Sequence, residues 1–416
     1  MKSHLIKRKQ IAQSLPHSSA LILSSLPQFF RQTDVSYPYR QESNFYYLTG
    51  FEQAKSLFLL FPSSRSVLFI SDKDCVKEVW DGPLATTKQV KTKYLINEVY
   101  YLSQIDNILK KKLKGVSKIF YDYSNKTCEF NKQIIQFKFK KTESAYHFLK
   151  PFRRLKESKE ITSIKKACSH SIHAHKEVAK ALKSNISERA LHGVFIKSIM
   201  EQGSTREAYQ GIFACGKNAT ILHYVKNNSI CKKGELLLVD AGAEYGYYAS
   251  DISRVYPVSG KFSKNQKNLY KALLKLQKQL IKAVKPEVTL KSINQKMFEG
   301  IIHILLEFGV LKGSLKENLK MEIYKKYCPH SVGHLLGLDV HDVTFKPGES
   351  TVLKPGMVLT IEPGIYINRT DKKFPEDLRA TGLRIEDDIL VTQKSQKNLT
   401  LNLPKEAEEI EELCSS

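Results

Sequence analysis

Apolar and polar positions alternate differently in the two halves of the chain. In the first, short apolar runs at 20–24, 56–61 and 66–71, bounded by Pro or Ser clusters, predict strands, and 119–121 predicts another. Between them the pattern predicts a basic helix over 3–15 and helices over 85–98 and 103–113, while 131–139 reads either way. Such mixing predicts an α/β domain. A long amphipathic helix over 158–183 then carries Ile161, Ile164, Cys168, Ile172, Val178 and Leu182 at helical spacing. The domain boundary falls just before it, giving an N-terminal domain over 1–156 and a second over 157–416. The second half reads as helices, hairpin, helices, strands: a helix capped by Ser187 and ending near Gly203, a hairpin over 236–258, helices over 265–284 and 290–308, and strands and turns over 329–403. The repeated order predicts an α+β domain with an internal pseudo-repeat, its curved antiparallel sheet covered by helices on one face. The acidic 406–412 stretch reads as a last helix or a frayed end.

The hairpin holds the first chemistry. With Tyr245 and Gly246 at the centre of its turn, Asp240 faces Asp251 directly, with Cβ atoms about 4.5–5.5 Å apart. Like charges so placed destabilise a sheet unless a proton or a cation holds them together. Three more segments bring polar groups into strand-like or turn contexts. Residues 330–341 hold His330, His334 and His341; the apolar run 357–361 delivers Glu362 ahead of Pro363-Gly364; and a strand over 383–392 puts Arg384 and Glu386 on one face. Taken singly, His334 reads as a core histidine, Glu362 as a turn residue, and Glu386-Asp387-Asp388 as an exposed acidic patch. Taken together, Asp240, Asp251, Glu362, Glu386 and His334 are four carboxylates and an imidazole on strands or strand ends, and two divalent cations would balance them. Oxygen-rich ligation with one nitrogen favours Mn²⁺, with Co²⁺, Fe²⁺ or Zn²⁺ as alternatives, over a thiolate zinc. Two such ions about 3.5–4 Å apart share a water, lower its pKa and clamp the oxyanion it forms on a carbonyl.

Composition adds exclusions. With 416 residues, 42% hydrophobic and 26% charged, the chain is that of an ordinary globular protein. The net charge of +24 invites nucleic acid or an anionic membrane as partner. Its lysines are spread along the chain without interleaved aromatics, which predicts a solvated basic surface and neither of those partners. Seven widely spaced cysteines without a CxxC pair suit a reducing compartment better than a disulfide scaffold or a zinc knuckle. No run of about 18 apolar residues predicts a membrane helix. A cytoplasmic location follows, with a mitochondrial one left open by Lys2, Lys7, Arg8 and Lys9. His170, His173 and His175 lie in the 158–183 helix; the i, i+3 pair His170 and His173 could bind a metal but is offered no third ligand and reads as a solvated helix face.

At VDAGAEYGYYASDISRVYP, HSVGHLLGLDVHD, LTIEPGIY and GLRIEDDILVT the chain resembles the pita-bread metallopeptidases, and among them the Xaa-Pro aminopeptidases (aminopeptidase P). The resemblance implies two divalent ions on Asp240, Asp251, His334, Glu362 and Glu386, with Asp251 and Glu386 bridging and Glu362 taking the proton of the attacking water. It implies that His223, in ATILHY, and His341 stabilise the oxyanion, and that His330, Tyr366 and Arg384 shape a proline-side pocket. DVSYPYRQESNFYYLTGF resembles the accompanying N-terminal domain; Asp34, at its head, and Trp80, in VWDGP, are its substrate-side candidates. In the family such an aromatic often comes from a neighbouring subunit, so a homo-oligomer, dimer or tetramer, is expected. The implied substrates are proline-containing peptides. Their Xaa-Pro bond is a tertiary amide with no N–H and a ring-restricted backbone, which general peptidases handle poorly. The alternatives are a prolidase, confined to Xaa-Pro dipeptides, and a non-enzymatic pita-bread module binding nucleic acid. Methionine aminopeptidases normally lack so large a first domain, and creatinase-like enzymes lack the full acidic set.

Overall fold

The computed structural model describes residues 1–123, 129–343 and 351–415, so Cys128 lies outside the described residues. The chain forms two compact units, Met1–Arg153 and Arg154–Ser416. The first is built on a six-stranded mixed sheet of β1 (Ser19–Ser24), β2 (Leu57–Leu60), β3 (Ser66–Ile70), β4 (Glu98–Tyr101), β5 (Lys118–Phe120) and β6 (Lys141–Glu143), in the order β4-β3-β2-β1-β5-β6. β2 and β3 are buried along their whole length, as unbroken apolar runs require. On one face Ile22, Leu57, Leu59, Val67 and Phe69 pack with Leu109 of the helix Ile105–Lys112. The basic first helix, Lys2–Gln13, is not simply solvated: Arg8 is buried and donates to the carbonyls of Leu48 and Leu95, where two helices end. By contrast, the helix Cys75–Asp81 buries none of its residues, and Trp80 is 84% exposed.

Among the described residues, the strands of the second unit pair only antiparallel. β12 (Ser253–Pro257), β9 (Leu236–Asp240) and β8 (Ile212–Cys215) form one sheet, and β11 (Tyr248–Ala249), β10 (Ala243–Tyr245) and β7 (Arg206–Glu207) another. β13 (Val358–Ile361), β16 (Asp387–Val391) and β17 (Gln396–Asn398) form a third, beside the pair β14 (Gly364–Ile367) and β15 (Thr381–Arg384). The helices Ser158–Ala181, Glu188–Glu201, Lys264–Ala283 and Leu290–Glu307 pack on this framework through one core, to which Val178, Phe195, Val239, Leu273, Ile301 and Ile389 belong. The acidic end is a helix, Ala407–Ser415, whose Glu408 and Glu411 pair with Lys267. Among the described residues no helix is long and apolar enough to cross a membrane.

Four expectations change. The hairpin turn is centred on Gly246 and Tyr247, both left-handed (φ 56° and 71°), as a tight hairpin turn demands. Asp240 therefore pairs with Ser253 rather than Asp251. Second, the strand expected over 383–392 breaks at 385–386, where the backbone leaves β14 and the Glu386 amide donates to Ser253 O on β12. Third, Cys215 and Cys231 are joined in a disulfide, while Cys75, Cys168, Cys328 and Cys414 are free. Spacing could not show this, because the pairing of 185–186 with Cys231 is what carries the second sulfur back to the end of β8. Fourth, His170 is not part of a solvated face, and its neighbour His175 is deeper still. His170 bonds Ser204 Oγ, and His175 is fully buried between Ala241 O (3.0 Å) and Tyr256 Oη (3.3 Å).

Burial pushes the His175 pKa down to about 3, the Ala241 carbonyl only partly opposing it. The unfolded chain takes up this proton below about pH 6.5 and the folded one does not, so the stabilisation is complete above that pH and is lost on acidification toward 3. The loss approaches about 1.4 kcal/mol per pH unit. His175→Asn should be less stable at pH 7 but lose less on going to pH 5, read from urea midpoints; parallel pH slopes for the two proteins would contradict this account.

Candidate metal centre

Asp240 ends β9, and Asp251 lies in the gap between β11 and β12. Moving the turn centre by one residue shifts the pairing by two, so both carboxylates stay on one face as diagonal neighbours. Gly242 lets the strands close here, since a Cβ would collide with the Ser250 carbonyl. The Tyr209 hydroxyl sits between the two acids, 2.6 Å from Asp240 Oδ1 and 2.5 Å from Asp251 Oδ1.

Glu362 follows directly on β13, its amide donating to Val332 O at 2.9 Å. That contact brings up the irregular segment 330–343, with Thr360 Oγ1 accepting from the His334 amide (3.0 Å) and lying 3.2 Å from Glu362 Oε1. The His334 ring donates from Nδ1 to Leu335 O (3.1 Å), which leaves Nε2 facing Asp251 Oδ2 at 3.4 Å and Glu362 Oε1 at 3.7 Å. Glu386 occupies the strand break, and Ser253 Oγ donates to its Oε2 at 2.7 Å. Arg384 donates from Nε to the same Ser253 Oγ (2.9 Å), from Nη1 to Tyr366 Oη (2.7 Å), and from Nη2 to Asp240 Oδ2. His330 accepts at Nε2 from Tyr366 Oη (2.9 Å) and donates from Nδ1 to Ser331 O.

Four carboxylates against one guanidinium leave this site strongly negative. Burial, reinforced by Asp251, Glu362 and Asp240, drives the Glu386 pKa well above its usual range. Burial also lifts Glu362 to about 7, against the pull of His334 and Arg384. For His334 burial pulls downward, but Asp251 and Glu362 raise its pKa to about 9. Burial is the main cause for the two glutamates and the neighbouring acids for His334, whereas, despite burial, His334 holds Asp251 below its ordinary value; divalent cations would favour the charged form of all four acids. Asp251, His334 and Glu386 offer donor atoms within 4.8 Å of one another, and Asp240 and Glu362 flank them. The donor set thus fits hard or borderline divalent ions.

These residues open onto a cleft of about 390 Å³, which His223, His330, His341 and Arg384 also line. The His334 and His341 rings meet edge to face, centroids 4.2 Å apart. Ile212, Leu222, Val225 and Val340 form its apolar wall. Trp80 and Asp34 belong to the first unit, where both are exposed. Sequence reasoning missed Tyr209, Ser253 and Thr360. The hydroxyl two residues after Asp251 and the one two residues before Glu362 were visible as same-face strand neighbours, whereas Tyr209 carried no local signal.

The profile of Metallopeptidase family M24 matches residues 162–393, and that of Aminopeptidase P, N-terminal domain, matches residues 4–121. Xaa-Pro aminopeptidase 3 of Homo sapiens is 34% identical over 426 aligned residues, covering 99% of this chain and 83% of that protein. A glutamate-to-alanine variant of Escherichia coli aminopeptidase P in complex with substrate superposes with a TM-score of 0.95 at 29% identity, covering 100% of this chain and 98% of that one. Zinc-substituted Escherichia coli aminopeptidase P in complex with product gives 0.96 at 29%, with the same coverage. The two-unit architecture, an N-terminal α/β domain followed by the α+β pita-bread domain, is therefore shared with solved structures.

Asp251→Ala and Glu386→Ala should lose measurable Mn²⁺ uptake by calorimetry on chelator-stripped protein. Ser253→Ala, which frees Glu386 from its orienting hydrogen bond, should weaken uptake by about 10- to 100-fold. Wild-type stoichiometry and affinity in Glu386→Ala would remove it from the ligand set.

Proposed function

The chain belongs to metallopeptidase family M24, in its Xaa-Pro aminopeptidase branch, and from that premise we propose how its residues release the first residue of a peptide whose second residue is proline. The observation that carries the reading is the convergence of Asp240, Asp251, His334, Glu362 and Glu386 on one cleft with an apolar wall. Those five residues would hold two divalent ions, Mn²⁺ being our assignment from the donor set. When bound, the ions supply Lewis acidity and an acidified solvent nucleophile.

The chain's own groups do the rest. The attacking water's oxygen bonds the scissile carbonyl carbon, and its proton passes to Glu362. The carbon–nitrogen bond breaks as that proton reaches the proline nitrogen, leaving a carboxylic acid and a secondary amine. His223 and His341, on the cleft wall, donate to the carbonyl oxygen as negative charge develops on it. Ile212, Leu222, Val225 and Val340 offer the apolar surface a pyrrolidine ring fills. The linked His330, Tyr366 and Arg384 side chains fix the polar edge of that pocket. The free N-terminal amine is held by the same carboxylates that hold the ions.

Exposure of Val76, Val79 and Trp80 on one short helix supports a homo-oligomer, dimer or tetramer, in which that face is covered and Trp80 and Asp34 serve the substrate side. We keep a cytoplasmic location, with a mitochondrial one open: among the described residues four cysteines are free, against the single disulfide Cys215–Cys231.

Release of arginine from Arg-Pro-Pro tests the reading. Chelation should abolish it, Mn²⁺ should restore it, and the dipeptide Arg-Pro should be cut far more slowly. His223→Ala should keep its ions and lose about 100-fold or more in kcat. Equal activity on Arg-Pro and Arg-Pro-Pro would point to a dipeptidase instead.

A further inference from the structure

His223 is not on a strand or a helix; it sits on the segment that leaves β8 at Cys215 and returns at Cys231. A loop is a poor mount for a group that has to meet a reacting atom. What steadies this one is Glu188, the first residue of the helix Glu188–Glu201 and fully buried. Oε1 of Glu188 accepts from the Cys215 amide (2.8 Å) and Asn218 Nδ2 (2.9 Å). Oε2 accepts from Tyr224 Oη (2.8 Å) and the Ser229 amide (2.8 Å). One carboxylate thus takes four hydrogen bonds from both stems and the middle of the segment, and the third partner, Tyr224, is covalently next to His223.

Two other contacts hold the same segment. The Cys215–Cys231 disulfide closes its stem. Its single turn, Gly216–Thr220, lies so close to β15 that a Cβ at Gly382 would collide with the Ala219 carbonyl.

We propose that Glu188 is a positioning residue for the reaction: it clasps the 215–231 segment and so holds His223 at the cleft wall. The proposal rests on the reading of His223 given above. Glu188 does not line the cleft itself, so it acts on the reaction only through the segment it clasps, which carries His223 and, beside it, Leu222 and Val225.

The test is a double-mutant cycle on Arg-Pro-Pro hydrolysis with Glu188→Gln, His223→Ala and the double variant, each loaded with Mn²⁺. An amide at 188 can accept at only one of the two oxygen positions, so two of the four bonds are lost. Glu188→Gln should lower kcat by about 10- to 100-fold with KM and Mn²⁺ content near wild type, and the double variant should be no slower than His223→Ala. Tyr224→Phe, which deletes a single donor and leaves the carboxylate in place, should show the same pattern more weakly and serves if Glu188→Gln does not fold. A purely structural role predicts losses that multiply in the double variant, or Mn²⁺ lost along with rate; either result overturns the proposal, as does a wild-type kcat in Glu188→Gln. If His223→Ala itself runs at the wild-type rate, the reading of His223 falls, and the clasp loses its catalytic role with it.

Discussion

Mutual repulsion of acidic side chains is the constraint around which the second unit is built. Asp240, Asp251, Glu362 and Glu386 share a low-dielectric pocket that only one guanidinium, Arg384, enters among the described residues. An arrangement like this costs several kcal/mol for each unpaired buried charge, and the fold holds it by giving each acid a fixed hydrogen-bond partner. Tyr209 spans the first two, Ser253 orients Glu386, and Thr360 contacts Glu362. None of these partners carries positive charge, so they fix direction without neutralising the pocket. That combination, directed but uncompensated, is what a site for divalent ions requires.

The run Glu386-Asp387-Asp388 shows how position, not composition, decides what an acid does. As a sequence it reads equally well as a solvated patch, yet all three are buried. Glu386 enters the cleft. Asp387 faces the opposite way, where Arg254 Nη2 (2.8 Å), Gln277 Nε2 (2.8 Å) and Lys405 meet it, and the two cations, Arg254 and Lys405, hold its pKa below the usual carboxylate range despite burial. Arg254 also donates to Glu386 O at 2.6 Å, so the ion pair behind the sheet pins the strand break from which Glu386 projects. Asp388 turns back and accepts from the Asp251 amide (3.1 Å) and from Cys168 Sγ (3.3 Å). Three adjacent residues thus supply a proposed ligand, its anchor and the support of a second proposed ligand. Replacing the Arg254–Asp387 pair with apolar groups would take the clamp off the Glu386 carbonyl.

Legibility in the sequence follows the range of the contacts. The strand carrying Asp240, the turn after Glu362 and the long helices are local patterns, and they were read correctly. The hairpin centre was read one residue early, because Tyr247 adopts a left-handed conformation that its side chain disfavours and no rule of composition anticipates. Strand parity protected the functional inference from this error, since the shifted pairing kept both acids on one face. Contacts between distant segments were not legible. Tyr209 lies 42 residues from Asp251, and Glu188 lies 27 from Cys215, so only the assembled sheet reveals them. The burial of His175 was not legible for the same reason: its neighbours, Ala241 and Tyr256, belong to a hairpin some 66 residues or more downstream.

The net charge of +24 stands in apparent conflict with a centre that must attract cations. Range resolves it. At physiological ionic strength exposed charges are screened within about 8 Å, whereas groups in a buried pocket interact nearly unscreened. No lysine lines the cleft among the described residues, so its potential is set by the four acids and Arg384 and hardly at all by the surface. The basic exterior therefore neither repels ions from the site at contact range nor recruits them from a distance. The same locality favours a substrate with a free amine, because the charge that distinguishes an N-terminus from an internal peptide bond is felt only once it has entered the pocket. On the proposed reading, selection for the end of a chain would be a short-range property of the acids proposed to bind the ions.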